Sequence, residues 1–212
     1  MLSFKTYFEN IEKKIDDTEI EFDPRSMKTQ VATTGGTYAK ASRLLNPKGK
    51  TLDYGAGLGL GTDVLNSHGL NADSYEPFPN RWKGKSSVTY SNTSSIPSDT
   101  YDNIVNFSVL NVVKPNVRIH IIKDIGRILK KGGTALVTAR TQKDVDNAKN
   151  KTPDTEEGGY IVGDRYQKGF STRELLSYTQ SILGDDFEVS PNPHLNGASI
   201  KIFKKDHIQT HE

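Results

Sequence analysis

A chain of 212 residues fits one domain of ordinary size and by surface scaling buries roughly 70% of its unfolded area, so it needs no disulfide staple. Its 33% hydrophobic and 25% charged residues lie on the polar side of globular averages, yet nine Tyr, eight Phe and one Trp exclude wholesale disorder. The lack of cysteine excludes disulfides, thiolate zinc sites, iron–sulfur clusters and cysteine nucleophiles, and a net charge of +2, split as −4 over residues 1–24 and +6 beyond, permits a polyanionic partner without demanding one.

The first ten residues carry a carboxylate and no long apolar run. No stretch of about 18 consecutive apolar residues follows, so the expectation is a soluble, cytoplasmic protein without a membrane partner. Leu2, Tyr7, Phe8, Ile11 and Ile15 recur at helical spacing and predict an amphipathic N-terminal helix with an acidic outer face. Periodicity is lost from Asp16 to Thr34. Gly35-Gly36-Thr37 then opens a second helix through Tyr38, Ala41, Leu44 and Leu45, ended by Asn46-Pro47-Lys48-Gly49.

From Lys50 short apolar strands alternate with helix-length segments. Strands are predicted at Thr51 to Tyr54, Ala72 to Glu76, Ser87 to Tyr90, Asp102 to Val109 and Thr134 to Ala139. Helices are predicted from Gly61 to His68 and from Pro115 to Leu129, the latter stopped by Lys130-Lys-Gly-Gly133. This alternation implies a mostly parallel sheet with helices on both faces. Asn150 to Gly169 reads as a long loop or a small hairpin around Tyr160-Ile-Val162. Ser171-Thr-Arg-Glu174 has the form of a capping box for a helix carrying Leu175, Leu176 and Ile182. Phe187 to Val189 and Ala198 to Phe203 form a closing pair of strands, and Lys204 to Glu212 should fray. His207 and His211 stand four apart on that polar tail, where no metal site is expected. The implied organisation is an N-terminal extension (1–36), one domain (37–204) and a flexible tail (205–212). Oligomeric state is not legible.

Chemistry concentrates in Asp53-Tyr-Gly55-Ala-Gly57-Leu-Gly59-Leu-Gly61, between a strand and a helix, where glycines let backbone approach a ligand and helix amides face it. The dinucleotide fingerprint needs a third glycine three residues after the second, but Leu60 or Thr62 stands there, depending on the register. An acidic Asp53 opposes a pyrophosphate and suits a cationic amino group. Glu76, 23 residues after Asp53 at the end of the next strand, is placed to accept hydrogen bonds from two ribose hydroxyls.

These motifs, with Tyr101-Asp-Asn-Ile-Val-Asn-Phe-Ser-Val-Leu-Asn-Val-Val113 as a fourth strand and Ile128-Leu-Lys-Lys-Gly-Gly-Thr-Ala-Leu-Val137 after it, resemble the class I S-adenosylmethionine-dependent methyltransferases over about residues 37–140. The resemblance implies a Rossmann-like methyltransferase fold: a mostly parallel sheet, an antiparallel closing strand and helices on both faces. It implies S-adenosylmethionine as cofactor, with Asp53 near its amino end and Gly55, Gly57 and Gly59 lining methionine and ribose. Glu76 would hold the ribose, Asn92 and Thr93 the adenine, and Asn106 and Phe107 would flank the transferable methyl. The Pro-Pro dipeptide of amino-group DNA methyltransferases is missing from Asn106-Phe-Ser-Val-Leu-Asn111. Without cysteine, thiol-dependent cytosine C5 methylation is excluded.

A second likeness joins Gly163-Asp-Arg-Tyr-Gln-Lys-Gly-Phe-Ser-Thr-Arg-Glu-Leu175, Tyr75-Glu-Pro77 and Val109-Leu-Asn-Val112, which are similar to methyltransferases associated with DNA phosphorothioation systems. It implies a substrate-facing loop carrying Arg165, Tyr166, Gln167 and Lys168. Arg81-Trp-Lys-Gly-Lys85 suits stacking on a base beside phosphate contacts, or a Trp covering the core with its cations in water. No motif fixes a catalytic base among Tyr166, Lys168, His120 and Asp102. The reading is a methyltransferase acting on a nucleic acid or a small molecule. Its alternatives are a non-catalytic cofactor-binding or nucleic-acid-interacting protein of the same fold, and an enzyme that degrades S-adenosylmethionine.

Overall fold

The computed structural model describes residues 35–79, 88–154, 157–163 and 165–206. The N-terminal helix, the Arg81 to Lys85 cluster and the His207/His211 pair lie outside the described residues.

Helix α1 (Gly35–Ser42) precedes strand β1 (Lys50–Tyr54), helix α2 (Leu60–Ser67) and strand β2 (Asn71–Tyr75). Strand β3 (Tyr101–Phe107), helix α3 (Pro115–Ile128) and strand β4 (Leu129–Ala139) continue the alternation. A short helix α4 (Gln142–Asp146) and strands β5 (Lys151–Pro153), β6 (Tyr160–Val162) and β7 (Arg165–Gln167) precede helix α5 (Thr172–Leu183), β8 (Phe187–Pro191) and β9 (Ala198–Lys204). The main sheet has six strands in the order β2-β1-β3-β4-β9-β8. The pairs from β2 to β4 are parallel, and β9 runs antiparallel to both β4 and β8.

Period-two alternation sorts the strand residues onto two cores. Leu52, Ile104, Ala135 and Val137 pack with Ile119, Ile122 and Ile125 of α3 and Leu175 of α5. Val105, Phe107 and Leu136 pack with Tyr38 and Ala41 of α1 and Leu65 of α2 on the other face. Helices therefore cover both faces, as the alternation of elements requires.

Tyr38 also explains Gly61, because a Cβ there would lie 2.0 Å from the tyrosine ring. That ring cannot swing aside, since its hydroxyl donates to Asp53 at 3.1 Å and its centroid lies 5.0 Å from that of Phe107 in an edge-to-face contact. Gly61→Ala is expected to lose about 3 kcal/mol through overpacking, read from the urea midpoint.

Local details depart from the sequence expectations. Of the predicted third strand, Ser87 lies outside the described residues, and residues 88–90 form one parallel bridge, between Tyr75 and Tyr90. Lys130-Lys-Gly-Gly133 does not separate helix from strand: β4 already starts at Leu129, and a register shift between Tyr101 and Asn103 absorbs the irregularity. Asn150 to Gly169 holds a three-stranded antiparallel sheet, β5-β6-β7, rather than a loop or one hairpin. Ser171 Oγ accepts from Glu174 N at 3.1 Å, but the Glu174 carboxylate turns to Lys168 Nζ at 2.9 Å, so the predicted capping box is half formed. A reciprocal box forms instead at Thr141 and Asp144.

Candidate functional site

Parallel pairing brings the carboxyl ends of β1, β2, β3 and β4 to one edge, which is where ligands bind in sheets of this kind. The β1–α2 turn crosses that edge with Gly55, Gly57 and Gly59 at φ of 87°, 55° and 79°. Gly55 also lies against Val109, whose Cγ2 would be 2.6 Å from an added Cβ. Gly55→Ala therefore combines strain with overlap and is expected to cost about 2–3 kcal/mol, measured by urea unfolding.

The turn's amides are engaged internally. Gly55 N and Ala56 N both donate to Tyr75 O at 2.9 Å, and Gly59 N donates to Ala56 O at 2.8 Å. Gly57 N donates to Glu76 Oε2 at 2.9 Å, and Phe78 N to Glu76 Oε1 at 3.0 Å. A pyrophosphate would find these donors taken and two carboxylates, Asp53 and Glu76, close by. The rim instead suits a ligand that brings its own donors or a positive charge. Glu76 is held from both sides, and each of its oxygens keeps a second lone pair for such a donor. No atom beyond Gly57's chain neighbours lies within 4 Å of where its Cβ would be, among the described residues, so the ligand side of the turn is open.

Asp53 sits one layer below that rim. It is wholly buried, with Tyr38 and Thr62 hydroxyls donating to its two oxygens at 3.1 and 2.8 Å, so it offers no direct contact to an amino group. Burial pushes its carboxyl up to about 7; the hydrogen bonds from Thr62 and Tyr38 oppose that rise, and the nearby Glu76 charge adds to it. An acid whose folded value exceeds its unfolded one binds more protons when folded, so its contribution to stability is full below about pH 4 and declines as pH rises to about 7. Asp53→Asn is expected to flatten stability against pH across that window, as followed by thermal melting at fixed ionic strength.

Asn106, the penultimate residue of β3, is wholly buried, with Nδ2 donating to Tyr54 O at 2.9 Å and Oδ1 lacking a partner. Phe107 faces the other way, into the α1–α2 core, because consecutive strand residues point to opposite faces. The expectation that both flank one point thus meets the pleat of β3, which separates them. Asn92 caps a 3₁₀ turn (Thr93–Ser95), its side chain accepting from Ser94 N at 2.9 Å.

Arg165, Tyr166 and Gln167 form β7 rather than a loop. Tyr166 and Gln167 are buried, Lys168 is buried and paired with Glu174, and Arg165 is half-buried. Asp102 accepts from Lys50 N and Lys130 Nζ at the opposite, amino edge of the sheet. His120 lies half-buried on α3, its proton affinity lowered by burial, with Asp124 opposing and Arg127 adding to the effect.

Sequence reading passed over Ser108 and Asn111. Ser108 follows β3 at φ 59°, an uncommon conformation for a residue with a Cβ, and is exposed at the ligand edge. Asn111 Nδ2 donates to Gln167 Oε1 at 3.3 Å and its carbonyl accepts from Lys168 N at 2.8 Å, tying the small sheet to the turn after β3. A polar residue inside the apolar run Val109 to Val113 was the available signal for Asn111. Ser108 carried none.

The family model described as a methyltransferase domain matches residues 25–178. No curated protein matches the sequence. Among solved structures, the chain is similar to 1,6-didemethyltoxoflavin-N1-methyltransferase of Burkholderia thailandensis, solved with 1,6-didemethyltoxoflavin and S-adenosylhomocysteine: 16% identity, 97% of this chain and 92% of that one covered, TM-score 0.53. An S-adenosylmethionine-dependent methyltransferase of Archaeoglobus fulgidus gives 12% identity, 87% and 77% coverage, and TM-score 0.56. One from Thermotoga maritima gives 19% identity, 80% and 87% coverage, and TM-score 0.53. At these identities the likeness is one of fold, and the family match over residues 25–178 carries the assignment: the chain belongs to the methyltransferase-domain family, the class I S-adenosylmethionine-dependent methyltransferases.

Proposed function

We propose that the β1–α2 turn and the end of β2 hold S-adenosylmethionine, with Glu76 accepting from both ribose hydroxyls, and that the methyl acceptor lies between the turn after β3 and the small sheet. The observation that carries this is the Glu76 carboxylate, fixed by Gly57 N and Phe78 N beside open space over Gly57. The donor set fits the cofactor: a diol meets a carboxylate, and a sulfonium meets a rim whose charged groups are acidic. When bound, the cofactor supplies an already activated methyl group.

Gly55, Gly57 and Gly59 line the methionine and ribose in this reading, and Asn92 and Thr93 meet the adenine. Asp53 acts from beneath, holding Tyr38 and Thr62 through its two oxygens. Asn106 and the strained Ser108 border the methyl, while Phe107 supports them from the core. The protein's task is then alignment of the acceptor with the methyl, an effect worth several kcal/mol. No base is assigned.

On the acceptor side Arg165 and the backbone of residues 166–168 are the proposed contacts. Tyr166, Gln167 and Lys168 shape that wall from behind. The acceptor is a nucleic acid or a small molecule, and the link to DNA phosphorothioation rests on the resembling segments in residues 75–77, 109–112 and 163–175 alone. The division into 1–36, 37–204 and 205–212 and a cytoplasmic location belong to the same proposal. Among the described residues no helix is long and apolar enough to cross a membrane.

Incubation with methyl-labelled cofactor and fractionated cell extract tests the reading. S-adenosylhomocysteine together with label in nucleic acid or in a small molecule is the expected result. Methylthioadenosine without a methylated acceptor would replace transfer by cofactor degradation, and intact cofactor would leave a binding protein. With nucleic acid as acceptor, affinity should fall steeply with added salt.

A further inference from the structure

Arg127, in the last turn of α3, directs its guanidinium at the turn formed by residues 92–96. Nη1 donates to Ile96 O at 2.7 Å and Nη2 to Thr93 O at 3.1 Å. Nε donates to Asp124 Oδ1 at 2.7 Å, so the planar fork is braced on its third side. Asp124 is buried and its other oxygen accepts from Tyr54 OH at 3.0 Å. Tyr54 is the last residue of β1, directly before Gly55, and its ring lies 4.7 Å from that of Tyr75, whose carbonyl receives Gly55 N and Ala56 N. One chain of contacts therefore joins the turn at residues 92–96 to the glycine turn across α3.

We infer that Arg127, braced by Asp124 and Tyr54, is a positioning residue that sets the 92–96 turn against the glycine turn and so determines how the site reads the base of its nucleoside ligand. The inference rests on the preceding reading, in which Asn92 and Thr93 meet the adenine. A carbonyl pair at Thr93 and Ile96 demands a rigid fork with spaced donors, which a lysine ammonium on a flexible stem does not provide. Asn92 caps the same turn through Ser94 N, and Thr93 O also accepts from Ile96 N at 2.9 Å. Loss of the fork leaves that short turn with only its own hydrogen bonds. The base-reading edge then shifts, while the Glu76 contacts to Gly57 and Phe78 stay in place.

The test is calorimetric binding of S-adenosylhomocysteine and of S-inosylhomocysteine, in which an oxo group replaces the 6-amino group, to the wild-type full chain and to Arg127→Gln. A lost hydrogen bond to the base corresponds to about tenfold in affinity. Wild type is expected to prefer the adenosyl ligand by about that factor. Arg127→Gln should lose adenosyl affinity by a similar factor with inosyl affinity nearly unchanged, so that discrimination collapses. Equal loss for both ligands, preserved discrimination in the variant, or none in wild type would overturn the inference and leave the cofactor reading standing. Absence of binding to wild type would remove both. Should Arg127→Gln fail to fold, Tyr54→Phe carries the test, because it removes only the hydroxyl that holds Asp124. A fall in discrimination of about threefold is expected there, and an unchanged ratio would overturn the inference.

Discussion

Glu76→Ala should weaken binding of S-adenosylmethionine by at least about 100-fold, as titration calorimetry would register. Hydrogen bonds to a charged group contribute about 1.5–3 kcal/mol each to an equilibrium, and the truncation removes two of them from the ribose in the proposed complex. It also releases Gly57 N and Phe78 N, which the carboxylate holds at 2.9 and 3.0 Å, so the turn loses its brace as well as its acceptor. Glu76→Gln separates the two effects. The amide keeps one acceptor oxygen but turns an NH₂ group toward a backbone N–H, so affinity should fall by about tenfold to 100-fold with a smaller fall in unfolding midpoint than Glu76→Ala produces. An affinity unchanged in both variants would remove Glu76 from the cofactor site.

Arg118→Ala should produce the largest loss of stability. The side chain is wholly buried, with Nε donating to Leu110 O at 2.9 Å, Nη2 to Val113 O at 2.8 Å and Nη1 to Glu157 Oε2 at 2.7 Å. Phe170 and Tyr178 rings flank the guanidinium at 5.1 and 5.6 Å. Truncation leaves a cavity, two carbonyls without this donor and Glu157 without its cation. Breaking a buried ion pair on one side costs about 3–5 kcal/mol. In a chain of this size that is a fall in melting temperature of about 6–20 °C. Arg118 joins the turn after β3 to the small sheet, so protease sensitivity across residues 147–169 should rise as well. A melting temperature within about 2 °C of wild type would show that the guanidinium is dispensable.

Where local pattern and global fold agreed, the chain was legible. Short strand-like runs located β1, β2, β3, β8 and β9 within a few residues, Gly55 and Pro77 marked the ends of β1 and β2, and Pro115 marked the start of α3. The failed dinucleotide fingerprint and the acidic Asp53 and Glu76 pointed away from a pyrophosphate, and the internal engagement of the turn's amides gives the same exclusion a structural cause.

Illegible features depended on contacts distant in sequence. Gly132 and Gly133 look like a helix stop, but β4 pairs with β3 at Leu129 and again from Thr134, where β9 joins on the other side, so the strand spans that region. Glu174 sits at the capping-box position, yet a buried Lys168 six residues earlier is the stronger partner for its carboxylate. Tyr166, Gln167 and Lys168 read as a polar loop because the core that buries them, Arg118 and Asn111 among its members, comes from residues some 50 positions away. Asp53 was legible as an acid at the right turn, whereas its two hydroxyl partners, one of them from α1, were not.

The central claim is that this turn holds a nucleoside cofactor with a sulfonium side chain. Calorimetric titration of the purified chain with S-adenosylmethionine, and then with S-adenosylhomocysteine, tests it most directly. Saturable binding of both at one site per chain, with a Kd on the order of micromolar, is the predicted result. No heat from either ligand, under conditions where the chain is shown to be folded, would contradict it and leave the glycine turn as scaffold.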